Sequence, residues 1–214
     1  MLGKAIGKNS IILGLFAVVT TSMIALTYLS TKEQIIAQER AARARALLEI
    51  VPIERHNNTM LDDTVMVDSE LLGIKESAEA FIARQDGIPV AVIIPATAPD
   101  GYSGEIRLIV GINMNGSIAG VRVLTHSETP GLGDKVDLKK SDWILGFNNK
   151  SLTKPATDLW SVKKDKGYFD QFTGATITPR AVTKAVHRVL LFFDENQELL
   201  IDHASLKQES NNDG

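Results

Sequence analysis

The apolar and polar positions of the chain form regions of different periodicity, and the first region is continuously apolar. No charged residue occurs from Asn9 to Thr31. As a helix rising about 1.5 Å per residue, this segment would span roughly 34 Å, enough to cross the hydrocarbon core of a bilayer. A cleaved signal peptide is the alternative, but its apolar region usually has only about 7–15 residues and ends in an A-x-A-like site. We find no good site of that kind, so the pattern predicts a transmembrane helix over residues 9–31, preceded by a short N-terminal segment at 1–8.

The region that follows is polar but strongly helix-forming. Residues 33–50 are rich in Ala, Glu, Gln, Arg and Leu and contain no Gly or Pro, which favours a helix leading away from the membrane. Pro52 and the polar segment HNNT at 56–59 then interrupt the pattern. We predict a helical stalk and linker over residues 32–76.

From Ala78 the chain shows strand signals separated by turns. The segments AEAFIARQ and IPVAVIIP flank Asp86-Gly87, and EIRLIVGIN and SIAGVRVLT are joined through Met114-Asn115-Gly116. Both arrangements are typical of β-hairpins. The loop TAPDGYSG separates the two hairpins. Such a meander predicts a largely antiparallel sheet with helices covering one face, an α+β domain.

The C-terminal half begins with irregular structure and ends with a helix. The segment HSETPGLGDKVD is predicted to be a loop, and residues 137–168 are mixed, with Trp143 and Trp160 expected to anchor them to the core. A helix is predicted over 179–194, with its polar side at Arg180, Lys184 and Arg188. Its apolar positions recur at helical spacing: Val182, Ala185, Val186, Val189, Leu190 and Phe193. The domain is thus predicted at 77–196, followed by a polar tail at 197–214 whose last residues, 210–214, fray.

Composition excludes several classes of function. The formal net charge is −3, and no Lys/Arg run is interleaved with aromatic residues, so nucleic acid is not an expected partner. The absence of cysteine excludes disulfides, thiolate zinc sites, Cys-ligated iron–sulfur clusters and Cys nucleophiles. The four histidines do not form a ligand cluster with metal spacing, so we predict no metal site; they are His56, His126, His187 and His203.

The segment FDQFTGATITPRAV, residues 169–182, places three threonines around a Gly-Ala pair at the start of the predicted helix. Thr178-Pro179 predicts a helix start, with Thr178 as the N-cap. The small residues before it leave backbone N–H groups beside the positive end of the helix dipole, where phosphate groups bind in many proteins. The G-x-x-x-x-G-K-[ST] pattern is absent, so nucleotide hydrolysis is not indicated. The alternative from physics alone is a well-capped helix without a ligand.

A more specific pattern, D-x-x-T-G-A-T, is formed by Asp170, Thr173, Gly174, Ala175 and Thr176. It resembles the flavinylation motif of the FMN-binding domains of Rnf and Nqr complexes. The resemblance implies that Thr176 carries FMN through a phosphoester, attached by a separate flavin transferase that uses FAD. Because a carboxylate beside the dianionic phosphate would repel it, we expect Asp170 to serve recognition by that transferase and not to contact the phosphate.

A second motif, SETPGLGDK at 127–135, is similar to the E-T-P-G-L-G loop that borders the flavin in the same family. The resemblance implies that Glu128, Thr129 and Leu132 border the isoalloxazine, Leu132 as an apolar contact and the other two as hydrogen-bonding groups. The flavin phosphate is expected beside the main-chain amides of residues 174–177 and near Thr178. Two motifs in the right order are much more specific than either alone.

The resemblance extends over nearly the whole chain and is greatest to the family of FMN-binding G components of the Rnf complex. It implies a redox subunit of an ion-translocating oxidoreductase, not an independent enzyme, in the bacterial inner membrane with its main domain in the periplasm. It further implies the other Rnf (Rsx) subunits as partners and, in enteric relatives, a link to keeping the sensor SoxR reduced. The alternatives are the flavin subunit of a sodium-pumping NADH:quinone reductase and a membrane-anchored scaffold without a redox role.

Overall fold

The structure is a computed structural model that describes the backbone of residues 2–212 and the side chains of residues 7, 9–38 and 40–200. The chain divides into two compact units, residues 1–45 and residues 46–214. The predicted transmembrane helix belongs to the first unit. The predicted sheet and C-terminal helix belong to the second.

The first helix, α1, comprises Leu2–Ile50. It contains the predicted span and is long and apolar enough to cross a membrane. Apolar side chains are exposed over its surface, among them Ile11, Leu15, Phe16, Met23 and Leu26. The hydroxyls of Thr20 and Thr27 donate to carbonyls one turn earlier, at 2.9 and 2.8 Å. Because hydroxyls in lipid need a partner within the protein, these bonds suit a membrane environment.

The sheet is an antiparallel meander in the order β1-β2-β3-β4-β5, which confirms the predicted fold class. Its strands are β1 (Thr64–Val67), β2 (Ala78–Gln85), β3 (Ile88–Ala98), β4 (Ile106–Asn113) and β5 (Ile118–Thr125). Asp86 and Gly87 both have positive φ, 52° and 82°, as a type I′ hairpin turn requires. Both predicted hairpins are present.

The compact unit begins at Ala46, ahead of the predicted domain start at residue 77. Its N-terminal part covers one face of the sheet, where Leu47, Ile50, Val51 and Met60 pack against β2, β3 and β4. Strand β1 adds an edge that the sequence analysis did not predict. Four residues are too few to establish an alternating pattern, so this strand had no periodic signal.

The other face of the sheet is covered by the C-terminal helix α2, Ile177–Asn212. All six apolar positions predicted for it are buried, as are the residues on the sheet face below it. The helix extends beyond the predicted end at 194, because no Gly or Pro occurs over 195–212, and Leu200 is still fully buried. The predicted fraying at 210–214 falls partly on Asp213 and Gly214, which lie outside the described residues.

Residues 137–168 form short 3-10 turns that are held by aromatic packing. Two of these turns comprise Asp142–Phe147 and Lys163–Asp165. Trp160 is buried and packs against Phe147 and Phe169, while Trp143 contacts Phe147 and Phe172 edge-on. The expected anchoring by both tryptophans is confirmed. This packing holds residues 169–172, directly before the threonine motif.

Candidate cofactor-binding site

The threonine motif begins with a tight turn. The N–H of Ala175 donates to the carbonyl of Phe172 at 3.1 Å, and Gly174 has a φ of 80°. These features are those of a type II turn, whose third residue needs a positive φ and is therefore usually glycine. The turn delivers the chain directly to the start of α2.

Thr176 lies at the N-terminus of α2. Its carbonyl accepts the first helical hydrogen bond, from the N–H of Arg180 at 3.3 Å, so Thr176, and not Thr178, occupies the N-cap position. The predicted N-cap at Thr178 is therefore wrong by two residues. Pro179 lies in the first turn, where its missing N–H would have had no intrahelical acceptor.

The surface around Thr176 is open to solvent. Thr176 is partly exposed, Thr173 and Gly174 are exposed, and Ile177 is 44% exposed. Helix geometry leaves the N–H groups of Ile177 and Thr178 without intrahelical acceptors. A partly exposed threonine thus lies beside amides that favour an anion, an arrangement that fits a phosphate-bearing group.

The second motif forms another turn of the same kind. The carbonyl of Thr129 accepts hydrogen bonds from the N–H groups of Leu132 and Gly133, both at 3.1 Å. Gly131 has a φ of 78°, so Pro130-Gly131 has the residue order of a type II turn. Thr129 is partly buried, whereas Leu132 is 42% exposed.

The two motifs meet in space. A Cβ built on Gly174 would lie 3.6 Å from Cδ2 of Leu132. The hydroxyl of Thr178 donates to the carboxylate of Glu128. Segments about 40 residues apart in the sequence therefore form one surface, with Thr176 and Leu132 on its exposed side.

Glu128 is buried beneath this surface. This residue is 4% exposed, and Thr178 is fully buried. One carboxylate oxygen, Oε2, accepts from Thr178, and the other, Oε1, accepts from the N–H of Ser103 at 3.0 Å. Both oxygens thus bind protein groups. A direct hydrogen bond from Glu128 to a flavin stays a prediction.

Asp170 is exposed at the beginning of the threonine motif. Its side chain is 69% exposed and pairs with Lys163, with 2.6 Å between Oδ1 and Nζ. Its carbonyl accepts a hydrogen bond from the indole N–H of Trp143 at 2.8 Å, which fixes the backbone. The carboxylate is therefore accessible to a partner protein while a lysine offsets its charge.

A second ion pair lies at the first turn of α2. Arg180 donates twice to Asp165, at 2.6 and 2.8 Å. The hydrogen bond from Arg180 lowers the pKa of the Asp165 carboxyl. This pair connects the helix start to the 3-10 turn at Lys163–Asp165.

The histidines have separate structural surroundings. His126 accepts from the N–H of Glu128 at 3.1 Å, and His56 contacts the carbonyl of Pro52 at 3.1 Å. His187 stacks on Trp160, while the side chain of His203 lies outside the described residues. Within the part of the chain that the structure describes, no group of three or more His, Cys, Asp or Glu could hold a metal ion.

The loop at residues 101–104 is part of the site but was not predicted as such. Its Ser103 amide binds Glu128, and a Cβ on Gly101 would lie 2.9 Å from Oε1 of Glu128. The signal available in the sequence was the pair of glycines in GYSG. On its own, that pattern indicates only a loop.

Comparison with known proteins gives two family matches. Residues 101–191 match the FMN-binding domain family, and residues 1–50 match the RnfG N-terminal region. The first match begins at the loop that binds Glu128 and ends within α2. The two matches together cover more than half of the chain.

Several bacterial proteins named as the G component of an ion-translocating oxidoreductase complex are similar over nearly their full length. A relative from Vibrio cholerae serotype O1 (strain M66-2) is 49% identical over 196 residues, covering 92% of this chain and 94% of the relative. A relative from Pseudoalteromonas atlantica is 50% identical over 198 residues, 92% of each chain. One from Pseudomonas aeruginosa (strain UCBPP-PA14) is 50% identical over 195 residues, 91% of each chain.

Proposed function

The chain belongs to the RnfG family, the G components of ion-translocating oxidoreductase complexes, and carries an FMN-binding domain, and from this premise we propose that it binds FMN covalently through Thr176. The observation that carries the proposal is the position of Thr176: a partly exposed threonine at the N-terminus of α2, inside the pattern D-x-x-T-G-A-T. Thr178, two residues on, is fully buried and inaccessible to a transferase.

The proposed modification is a phosphoryl transfer from FAD. Oγ1 of Thr176 forms a bond to the phosphorus of the FMN half and replaces the bridging pyrophosphate oxygen, which leaves with AMP. The hydroxyl proton is released. A separate flavin transferase carries out this step, and the exposed Asp170 is part of the surface it recognises.

Residues of this chain then hold the product. The N–H groups of Ile177 and Thr178, at the positive end of α2, favour the phosphate by about 0.3–1 kcal/mol when exposed and by more when partly buried. Thr173, Gly174 and Ala175 leave room beside it. The side chains of Leu132 and Ile177, which are exposed apolar groups, and the partly buried Thr129 border the ring system.

When bound, a flavin supplies redox chemistry that accepts a pair of electrons and releases them one at a time, and the protein contributes its position and electronic environment. The proposed role of this chain is therefore an electron carrier between other subunits of the complex. Free FMN would be scarce in the periplasm, and a covalent bond prevents loss of the cofactor there.

The proposed location is the bacterial inner membrane, with residues 9–31 spanning it, residues 1–8 in the cytoplasm and the domain at 77–196 in the periplasm. Lys4 and Lys8 on one side and Lys32, Arg40, Arg43 and Arg45 on the other leave the positive-inside rule undecided. The orientation rests on the resemblance. We also propose that the complex helps to keep SoxR reduced, as in enteric relatives.

Two alternative functions remain to be compared with this proposal: the flavin subunit of a sodium-pumping NADH:quinone reductase and a scaffold without a redox role. The match of residues 1–50 to the RnfG N-terminal region favours the Rnf type over a sodium-pumping NADH:quinone reductase. A scaffold would carry no flavin, so the mass of the protein distinguishes it from the proposed electron carrier.

The direct test is a mass spectrum of the full chain produced together with its transferase. We expect one FMN on the wild type, mapped to the peptide 169–182, and none on Thr176→Ala. Thr176→Ser, which keeps a hydroxyl, and Thr173→Ala are the matched controls, and both should retain flavin. Flavin on Thr173, or flavin retained by Thr176→Ala, would overturn the assignment. A wild-type protein without flavin would instead favour the alternative function, a membrane-anchored scaffold without a redox role.

A further inference from the structure

We propose that Glu128 is a positioning residue for flavin attachment: its buried carboxylate fixes three separate segments in one frame that presents Thr176. The inference rests on the proposed function of Thr176. It assigns Glu128 a role different from that of a flavin ligand. The segments are the loop at 101–104, the turn at 129–133 and the first turn of α2.

The carboxylate is enclosed on several sides. Oε1 accepts from the Ser103 amide and Oε2 from the Thr178 hydroxyl. A Cβ on Gly133 would lie 2.7 Å from Oε2 and 2.8 Å from Oγ1 of Thr178. Because such distances are shorter than real Cβ contacts, a larger residue at position 133 would have to displace this hydrogen-bonded pair.

Burial makes the two hydrogen bonds necessary. A carboxylate removed from water is strongly disfavoured unless its oxygens are bonded to donors. Here each donor belongs to a different segment, and Glu128 itself directly precedes the third, the turn at 129–133. If either donor moves away, a buried oxygen loses its partner, so the three segments are expected to move together or not at all.

The position of Thr176 follows from this frame. Thr178 is in the first helical turn, two residues after Thr176, and its hydroxyl is fixed by Glu128. Leu132 lies next to Gly174 on the other side. Loss of the frame therefore misplaces the hydroxyl that a transferase must reach, although the carboxylate itself is covered by protein.

The test compares Glu128→Ala, Thr178→Val and the double variant in the full-length protein with its transferase and FAD. We expect the rate of flavin attachment to fall by about 10- to 100-fold in each single variant, since misplacing a reacting group by about 1 Å costs up to that much. The double variant should be no slower than the slower single variant, because both remove the same frame. Thr178→Ser keeps the hydroxyl that Thr178→Val removes, so its rate of flavin attachment should be within about threefold of the wild-type rate.

A second readout is hydrogen exchange at the Ser103 amide, which does not depend on flavin. Exchange should accelerate in Glu128→Ala, which removes the acceptor, and also in Thr178→Val, which does not touch Ser103. The stability control is Ile93→Ala, in the core on the opposite face of the sheet. This variant should attach flavin at the wild-type rate and leave Ser103 protected under folding conditions.

The results separate this inference from the proposed function. Wild-type protein without flavin would overturn both. Wild-type attachment with unchanged rates in Glu128→Ala and Thr178→Val would overturn the inference alone. An equal loss in Ile93→Ala would also overturn it, because lower stability would then account for the effect. A slow Glu128→Ala with a normal Thr178→Val would indicate direct contact between Glu128 and the flavin and would likewise contradict positioning.

Discussion

Gly174 determines the backbone geometry of the turn before Thr176, the proposed attachment residue. Its φ of 80° lies in the left-handed region, where an alanine costs roughly 1–2 kcal/mol. A Cβ at this position would meet only Cδ2 of Leu132, at 3.6 Å, an ordinary van der Waals distance. The cost of Gly174→Ala is therefore backbone strain and not a clash. For a folded unit of this size, that cost lowers Tm by about 2–8 °C.

Gly116 provides a matched control. It lies in the turn between β4 and β5, has a φ of 78° and has nothing within 4 Å of a built Cβ. Gly116→Ala should therefore lose about the same stability as Gly174→Ala. Only Gly174→Ala strains the turn before Thr176, so flavin attachment should fall in that variant alone.

The assay combines thermal unfolding with intact mass after a timed reaction with transferase and FAD. We expect similar Tm values for the two alanine variants and slower attachment for Gly174→Ala. Gly174→Asn should recover part of the rate, because asparagine adopts positive φ more readily than alanine. Equal attachment in the two alanine variants would refute the view that this turn presents Thr176.

Three further predictions concern other parts of the molecule. Burial lowers the pKa of His187, so the unfolded chain, with a pKa near 6.5, binds the proton first as pH falls. Stability should decline below about pH 6.5, and Tm measured across this range should decline less in His187→Gln; identical pH profiles would contradict this. A reporter that is active only in the cytoplasm should be inactive when fused after Asp213, and activity would reverse the proposed orientation. Complexes assembled with Thr176→Ala should lose donor oxidation and the transmembrane potential together, whereas unchanged rates would indicate a scaffold.

The parts of the fold that were predicted correctly have strong local signals. The hairpin turn at Asp86-Gly87 can be recognised because few residue pairs adopt two positive φ values. The buried face of α2 can be recognised because its apolar residues repeat at helical spacing. In both cases the physical cause lies within about ten residues of sequence. No knowledge of the rest of the chain is needed.

The errors and omissions come from tertiary contacts. The prediction of Thr178 as a helix cap used local preference alone, whereas its hydroxyl is held by Glu128 from a distant segment. The contribution of Ser103 also depends on that carboxylate. Strand β1 forms because β2 supplies an adjacent edge, although its own four residues have a weak pattern. A single sequence carries little information on such pairings.

The three threonines of the motif differ in their ability to accept a phosphate group, and their burial and position explain this difference. Thr178 is enclosed and contributes a hydrogen bond to Glu128, so it can support the site but cannot receive a bulky group. Thr173 and Thr176 are both accessible, yet they lie on opposite sides of Gly174. Only Thr176 directly precedes the free amides of α2, where a phosphate attached to its hydroxyl could be stabilised as the bond forms. The positive φ at Gly174 thus separates one exposed threonine from the helix and leads the chain from it to the other, which gives a physical reason for proposing attachment at Thr176 and not at Thr173.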